Sequence, residues 1–105
     1  MTTPLTIDVD RRDGSPAVVA TGEIDLSNVG SFARALSDAI ADNAGELVTV
    51  DLSAVDYLDS GGINVLFTNA DHIRLIVKPL LLPVLTISGL TELASVEAAR
   101  PGAEQ

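Results

Sequence analysis

A chain of 105 residues makes one small domain rather than two, and it can bury a core without metal or disulfide staples. Six Lys and Arg against fifteen Asp and Glu give a formal net charge of -9, which excludes the clustered cations that nucleic-acid and anionic-membrane binding require. With no cysteine, disulfides, thiolate metal sites and thiol redox sensing are excluded as well, so any switch must use other chemistry.

The opening Met1-Thr2-Thr3-Pro4-Leu5-Thr6-Ile7-Asp8 has no basic segment and no apolar run, so no signal peptide is expected. Leu5, Ile7 and Val9 alternate with Thr6, Asp8 and Asp10, which predicts a strand with one face in the core. Arg11 to Pro16, centred on Asp13-Gly14, reads as a turn with the basic pair Arg11-Arg12 at its tip. Ala17 to Ala20 completes an N-terminal hairpin, and Thr21 to Leu26 leads out of it.

Ser27 is the expected N-cap of a first helix that turns Val29, Phe32, Ala33, Leu36 and Ile40 inward and Arg34, Asp38 and Asp42 outward, stopping at Asn43-Ala44-Gly45. Leu47 to Leu52 is β-branched and apolar on both faces, as in a central strand covered by helices. Ile63, Leu66, Phe67 and Ala70 mark a second helix closed by Asp71-His72, and Ile73 to Val77 is the next interior strand.

Pro79 to Ile87 reads as a third helix, yet Pro83 fits only if the first turn is irregular or the helix begins near it. Leu80, Leu81, Leu82, Val84, Leu85 and Ile87 cover nearly the whole circumference, so some are exposed or meet a partner. Ser88-Gly89-Leu90 is the stop, Leu93 to Ala98 fits a strand or a short helix, and Arg100 to Gln105 is expected to fray. Charged residues and prolines break the apolar stretch from Ile73 to Leu90 short of the roughly 20 residues of a membrane span, and a cytoplasmic protein is expected.

This order predicts an α/β fold: a mixed, mostly parallel sheet of four to five strands with an N-terminal hairpin, packed by about three helices, in one domain over residues 1–99 with a tail at 100–105.

Few residues can carry chemistry. There is no Gly-rich phosphate loop, metal-spaced cluster or nucleophile-elbow pattern, and the lone His72 falls about three helical turns beyond Ser60 along the second helix. Neither an enzyme nor a cofactor site is expected. Locally, Asp59-Ser60-Gly61-Gly62 reads as a turn in which either Asp59 or Ser60 caps the second helix, a bond worth about 1 kcal/mol. A cap does not account for Asp25, Asp56 and Asp59 gathering at the same end of the sheet.

Along its whole length the chain resembles a STAS domain of the bacterial anti-sigma factor antagonist type. The resemblance rests on Gly22-Glu23-Ile24-Asp25, on Asp51-Leu52-Ser53-Ala54-Val55-Asp56-Tyr57-Leu58-Asp59-Ser60-Gly61-Gly62-Ile63, and on Ser88-Gly89-Leu90, the central segment being the specific one. It implies a partner switch: an anti-sigma factor that is also a serine kinase of the histidine-kinase-like ATPase fold phosphorylates Ser60, and a phosphoserine phosphatase would reverse this. Unphosphorylated antagonist binds the kinase and frees a sigma factor. By the same resemblance Asp25, Asp56, Asp59, Gly61 and Gly62 surround Ser60 in the partner-binding surface.

Two alternatives stand beside it: an unphosphorylated STAS adaptor or transporter-complex subunit, and a small nucleotide-binding module using the amides at the start of the second helix. The chain departs from the family pattern in the short connection Asn69-Ala70-Asp71-His72 and in Leu80, Leu82 and Pro83 of the third helix, where Leu80 and Leu82 are a candidate homodimer face.

Overall fold

The computed structural model describes residues 4–12, 14–43 and 45–99. The alternating run after Leu5 becomes β1 (Thr6–Arg12), which pairs antiparallel with β2 (Ser15–Ile24), Arg12 opposite Ser15. Strand pairing therefore continues right up to the two-residue connection, of which Asp13 lies outside the described residues. β2 is also longer than the expected Ala17 to Ala20. It runs on through Thr21 to Ile24, because these residues go on pairing with the next strand.

Three further elements pairs follow: α1 (Val29–Asp42) and β3 (Val48–Leu58), α2 (Ser60–Thr68) and β4 (Ile73–Val77), α3 (Leu82–Ser88) and β5 (Ser95–Ala98). The five strands lie in the order β1-β2-β3-β4-β5, with every pair after the hairpin parallel. The ambiguous stretch from Leu93 is thus an edge strand preceded by a short 3₁₀ turn at Leu90–Glu92.

A sheet whose parallel crossovers all advance in one direction puts all its helices on one face, since such connections share one hand. The core agrees: Phe32, Leu36 and Ala39 of α1, Leu66 of α2 and Leu85 of α3 form a single buried cluster with Val18, Val48, Val50, Leu52, Leu75 and Val77. The expectation that the central strand is covered by helices on both faces is corrected. Its other face is open, and what buries Thr49 and Asp51 there is a roof of two arginines. Arg12 Nη1 stands 2.7 Å from Asp51 Oδ2, and Arg74 Nη2 donates to Thr49 Oγ1 at 3.2 Å.

The largest difference from the sequence reading is in β3, which extends six residues past Leu52. Its register against β2 slips between Val19 and Thr21 and again between Gly22 and Glu23, each slip adding one residue to the β3 side. Inward positions therefore change from a spacing of two (Val48, Val50, Leu52) to a spacing of three (Val55, Leu58). At the first bulge Asp51 Oδ1 accepts from the Ser53 amide and hydroxyl, at 2.9 and 2.6 Å. Burial alone would raise the Asp51 pKa, but the two Ser53 bonds and the Arg12 guanidinium together hold it below the usual carboxylate value.

Pro83 is also accounted for. A 3₁₀ turn, Pro79–Leu81, precedes α3, so Pro83 falls in the first turn of the α-helix, where no backbone donor is required. Gly89, at φ +90°, ends the helix in the left-handed region. The Asp71-His72 closure is a separate 3₁₀ turn, Ala70–His72, beyond the end of α2 at Thr68.

Candidate functional site

β2 and β3 end side by side. The Asp59 amide donates to the Ile24 carbonyl at 3.2 Å, which fixes the start of α2 against the loop that leads into α1. In that loop Asp25 Oδ1 accepts from the amide and hydroxyl of Ser27, at 3.0 and 2.6 Å, an Asx turn that occupies the hydroxyl expected to cap α1. Asn28 takes the cap position instead, and its amide side chain spans the loop: Oδ1 accepts from the Asp25 amide at 2.9 Å while Nδ2 donates to the Glu23 carbonyl at 2.9 Å. Beside Asp25 and Ser27 a cleft of about 430 Å³ is lined also by Leu5, Ile7 and Ser31.

The second helix settles which of two side chains is its cap. Asp59 holds the extended N-cap conformation, and its Oδ1 accepts from the Gly62 amide at 3.1 Å. Ser60 is the first helical residue, exposed, with its hydroxyl not spent on the cap. The two glycines serve packing. A Cβ at Gly62 would stand 2.5 Å from Leu58 Cδ1 and 3.1 Å from Ile24 Cγ2, whereas one at Gly61 would meet Asp59 Oδ1 at 3.3 Å and Val29 of α1 at 3.8 Å. Gly62 is therefore buried, and it lets the helix start sit directly on the ends of the two strands.

Of the carboxylates expected around Ser60, Asp59 adjoins it and Asp25 lies on the neighbouring loop. Asp56 stands apart from them at the second bulge, exposed and ion-paired with Lys78, the residue that follows β4. Lys78 is the only lysine in the chain, and it was missed because its partner is 22 residues away in sequence. Asn28 was legible, being as good an N-cap type as Ser27 and one residue nearer the helical pattern. Two apolar side chains flank the same end of the sheet, Leu26 at 82% and Tyr57 at 50% exposure. His72 lies past the far end of α2 from Ser60.

Such a site has an accessible hydroxyl at a helix N-terminus, acceptors on either side, and backbone ordered by side-chain bonds. It offers a surface to be read or modified. A family model described as "Mlab, STAS domain" matches residues 7–95. The anti-sigma-F factor antagonist RsfB of two Mycobacterium tuberculosis strains is 35% identical over 74 residues, 70% of this chain and 60% of that protein, so the chain spans less than two thirds of the length of these curated relatives. Among solved structures, an anti-sigma factor antagonist from Mycobacterium paratuberculosis superposes with a TM-score of 0.82 at 23% identity, over 96% of this chain and 89% of the other. The antagonist SpoIIAA in its unphosphorylated form gives 0.68 at 19% identity, over 90% and 89%. The superpositions establish the shared fold and the family model covers most of the sequence: the chain belongs to the STAS-domain family.

Proposed function

We propose that this STAS domain is an anti-sigma factor antagonist, which binds an anti-sigma factor that is also a serine kinase, frees a sigma factor, and is switched off by phosphorylation of Ser60. The observation that carries the reading is the division of labour at the start of α2, where Asp59 makes the cap and leaves an exposed Ser60 hydroxyl for a kinase. The relatives named as antagonists support it.

In the transfer step Ser60 Oγ bonds to the γ-phosphorus of ATP, the bond to the β–γ bridging oxygen breaks, ADP leaves, and the hydroxyl proton passes to a base on the kinase. A phosphatase returns the hydroxyl by hydrolysis. The new group adds about -1.5 to -2 charges at the positive end of α2, so the monomer tolerates it. A docked partner meets that charge added to those of Asp25 and Asp59, and binding is lost by repulsion and desolvation rather than by refolding. Asp56 contributes less, since Lys78 balances its charge. A coupling of about 1 to 3 kcal/mol shifts partner affinity by about 5- to 150-fold.

The test is capture from the native organism with wild type, Ser60→Ala and Ser60→Asp. Ser60→Ala retains the kinase and Ser60→Asp loses it by at least about tenfold, while both melt as wild type does because an acid is well placed in the first turn of a helix. Equal capture by both variants would end this reading. Native protein that never carries phosphate on Ser60 in mass spectra would favour an unphosphorylated adaptor.

A further inference from the structure

The short loop between β2 and α1 is tied down along its whole length. Besides the Asx turn at Asp25 and the two bonds of the Asn28 side chain, the Asp25 carbonyl accepts from the amides of Asn28 and Val29, at 3.1 and 2.9 Å. Leu26 is the central residue of the Asx turn, and its side chain is 82% exposed. Turns favour Gly, Pro, Asn, Asp and Ser, and none of the bonds that hold this loop involves Leu26, so the turn itself does not call for a leucine. A lone apolar side chain on a surface is ordinary. One held at the tip of a hydrogen-bonded turn is different, because its backbone has already lost the freedom that docking would otherwise cost.

Position and charge identify what covers it. The Asp59 amide ties the loop to the start of α2 through the Ile24 carbonyl, and a Cβ on Gly61, the residue after Ser60, would stand 3.8 Å from Val29. A partner that reaches the Ser60 hydroxyl therefore meets this loop as well. No Lys or Arg occurs in residues 13–33 or 52–73, the segments that build this end of the sheet, whereas Glu23, Asp25, Asp56 and Asp59 all lie there. A second copy would set these carboxylates against its own, and an anionic bilayer would meet only like charge, so the complementary occupant has a cationic surface around an apolar pocket. We propose that Leu26 is an apolar anchor for the anti-sigma factor kinase that acts on Ser60: its side chain enters a pocket on the kinase, and the turn holds it in the docking position before the encounter. The inference rests on the reading of Ser60 as the phosphoacceptor. It adds a contact that serves binding of the kinase and not phosphoryl transfer, since an isobutyl group takes no part in the chemistry.

The test follows Ser60 phosphorylation by mass spectrometry in ATP-supplied lysate of the native organism lacking this protein, over a concentration series of the purified chain. For Leu26→Ala the concentration giving half the maximal rate rises about tenfold, while the maximal rate stays within about twofold of wild type. Leu26→Met, which keeps an apolar side chain of similar volume, stays near wild type. Leu47→Ala, which removes an exposed leucine at the opposite end of the sheet, also behaves as wild type. A half-saturating concentration unchanged in Leu26→Ala overturns the anchor and leaves the Ser60 switch standing, as does one raised equally in Leu26→Met or Leu47→Ala. Wild type that takes up no phosphate on Ser60 overturns the switch and the anchor together. Should Leu26→Ala melt below wild type, Leu26→Gln replaces it with the same expected and overturning results.

Discussion

At Gly62 one methyl group decides how α2 is seated. The added Cβ of Gly62→Ala would press on Leu58 and Ile24, both of which are buried and hemmed in by the core, so neither has room to swing away. Overpacking of this kind costs about 1 to 3 kcal/mol. The variant is expected to unfold at correspondingly lower denaturant, and a midpoint within about 0.3 kcal/mol of wild type would contradict the account of the close approach. At this scale the sequence was informative: Ser60, Asp59 and both glycines were singled out by residue type and order. What it left open, whether Asp59 or Ser60 makes the cap, depends on a torsion angle and a 3.1 Å bond that composition does not encode. Lys78 was invisible for a different reason. Its link to Asp56 exists only because β4 ends beside the middle of β3, opposite Leu52, which brings Lys78 alongside the later half of that strand.

Among the elements, β3 carries both the least legible geometry and the clearest pH dependence. Its first half was read correctly from Val48 to Leu52, but a spacing of three from Leu52 through Val55 to Leu58 matches neither a strand of period two nor a helix of period 3.6. The bulges that create this spacing are a property of the pairing with β2, so no reading of β3 alone could find them. Asp51 sits at the first bulge with its pKa below the usual value when folded. A depressed carboxylate adds stability that is complete above its unfolded pKa of about 3.9 and is lost as pH falls through the folded value. Stability should therefore decline below about pH 4, and Asp51→Asn should show a shallower decline over that window in denaturant titrations at stepped pH. Parallel curves for the two proteins would mean that the Arg12 and Ser53 contacts do not favour the charged form.

For the whole molecule, one covered face and one open face imply uneven protection. Val48 to Leu52 is hydrogen-bonded on both sides, by β2 and β4, and lies over the helices; the later half of β3 is paired only with β2, and β1 is an exposed edge. Hydrogen exchange should be slowest at Val48–Leu52 and faster by at least about tenfold in β1, with the bulged half between them. Equal protection in β1 and the centre of β3 would show that the sheet opens only as a unit. The α/β class, the hairpin and the mostly parallel sheet followed from the alternation of periods, which is why the architecture was readable. The single helical layer was not, because buried Thr49 and Asp51 look like core positions until their arginine roof is seen.

The two extra residues in β3 also make the strand a matter of parity. One added residue turns every later side chain to the opposite face, and a second turns them back, so Leu58 returns to the core just ahead of the Asp59 cap. Losing a single residue between Leu52 and Leu58 would exchange inside for outside at Leu58, on which Gly62 of α2 packs, whereas losing two would shorten the strand and keep its faces. Length changes in this segment are thus tolerable in even numbers, a constraint on how the segment can vary that no individual residue in it reveals.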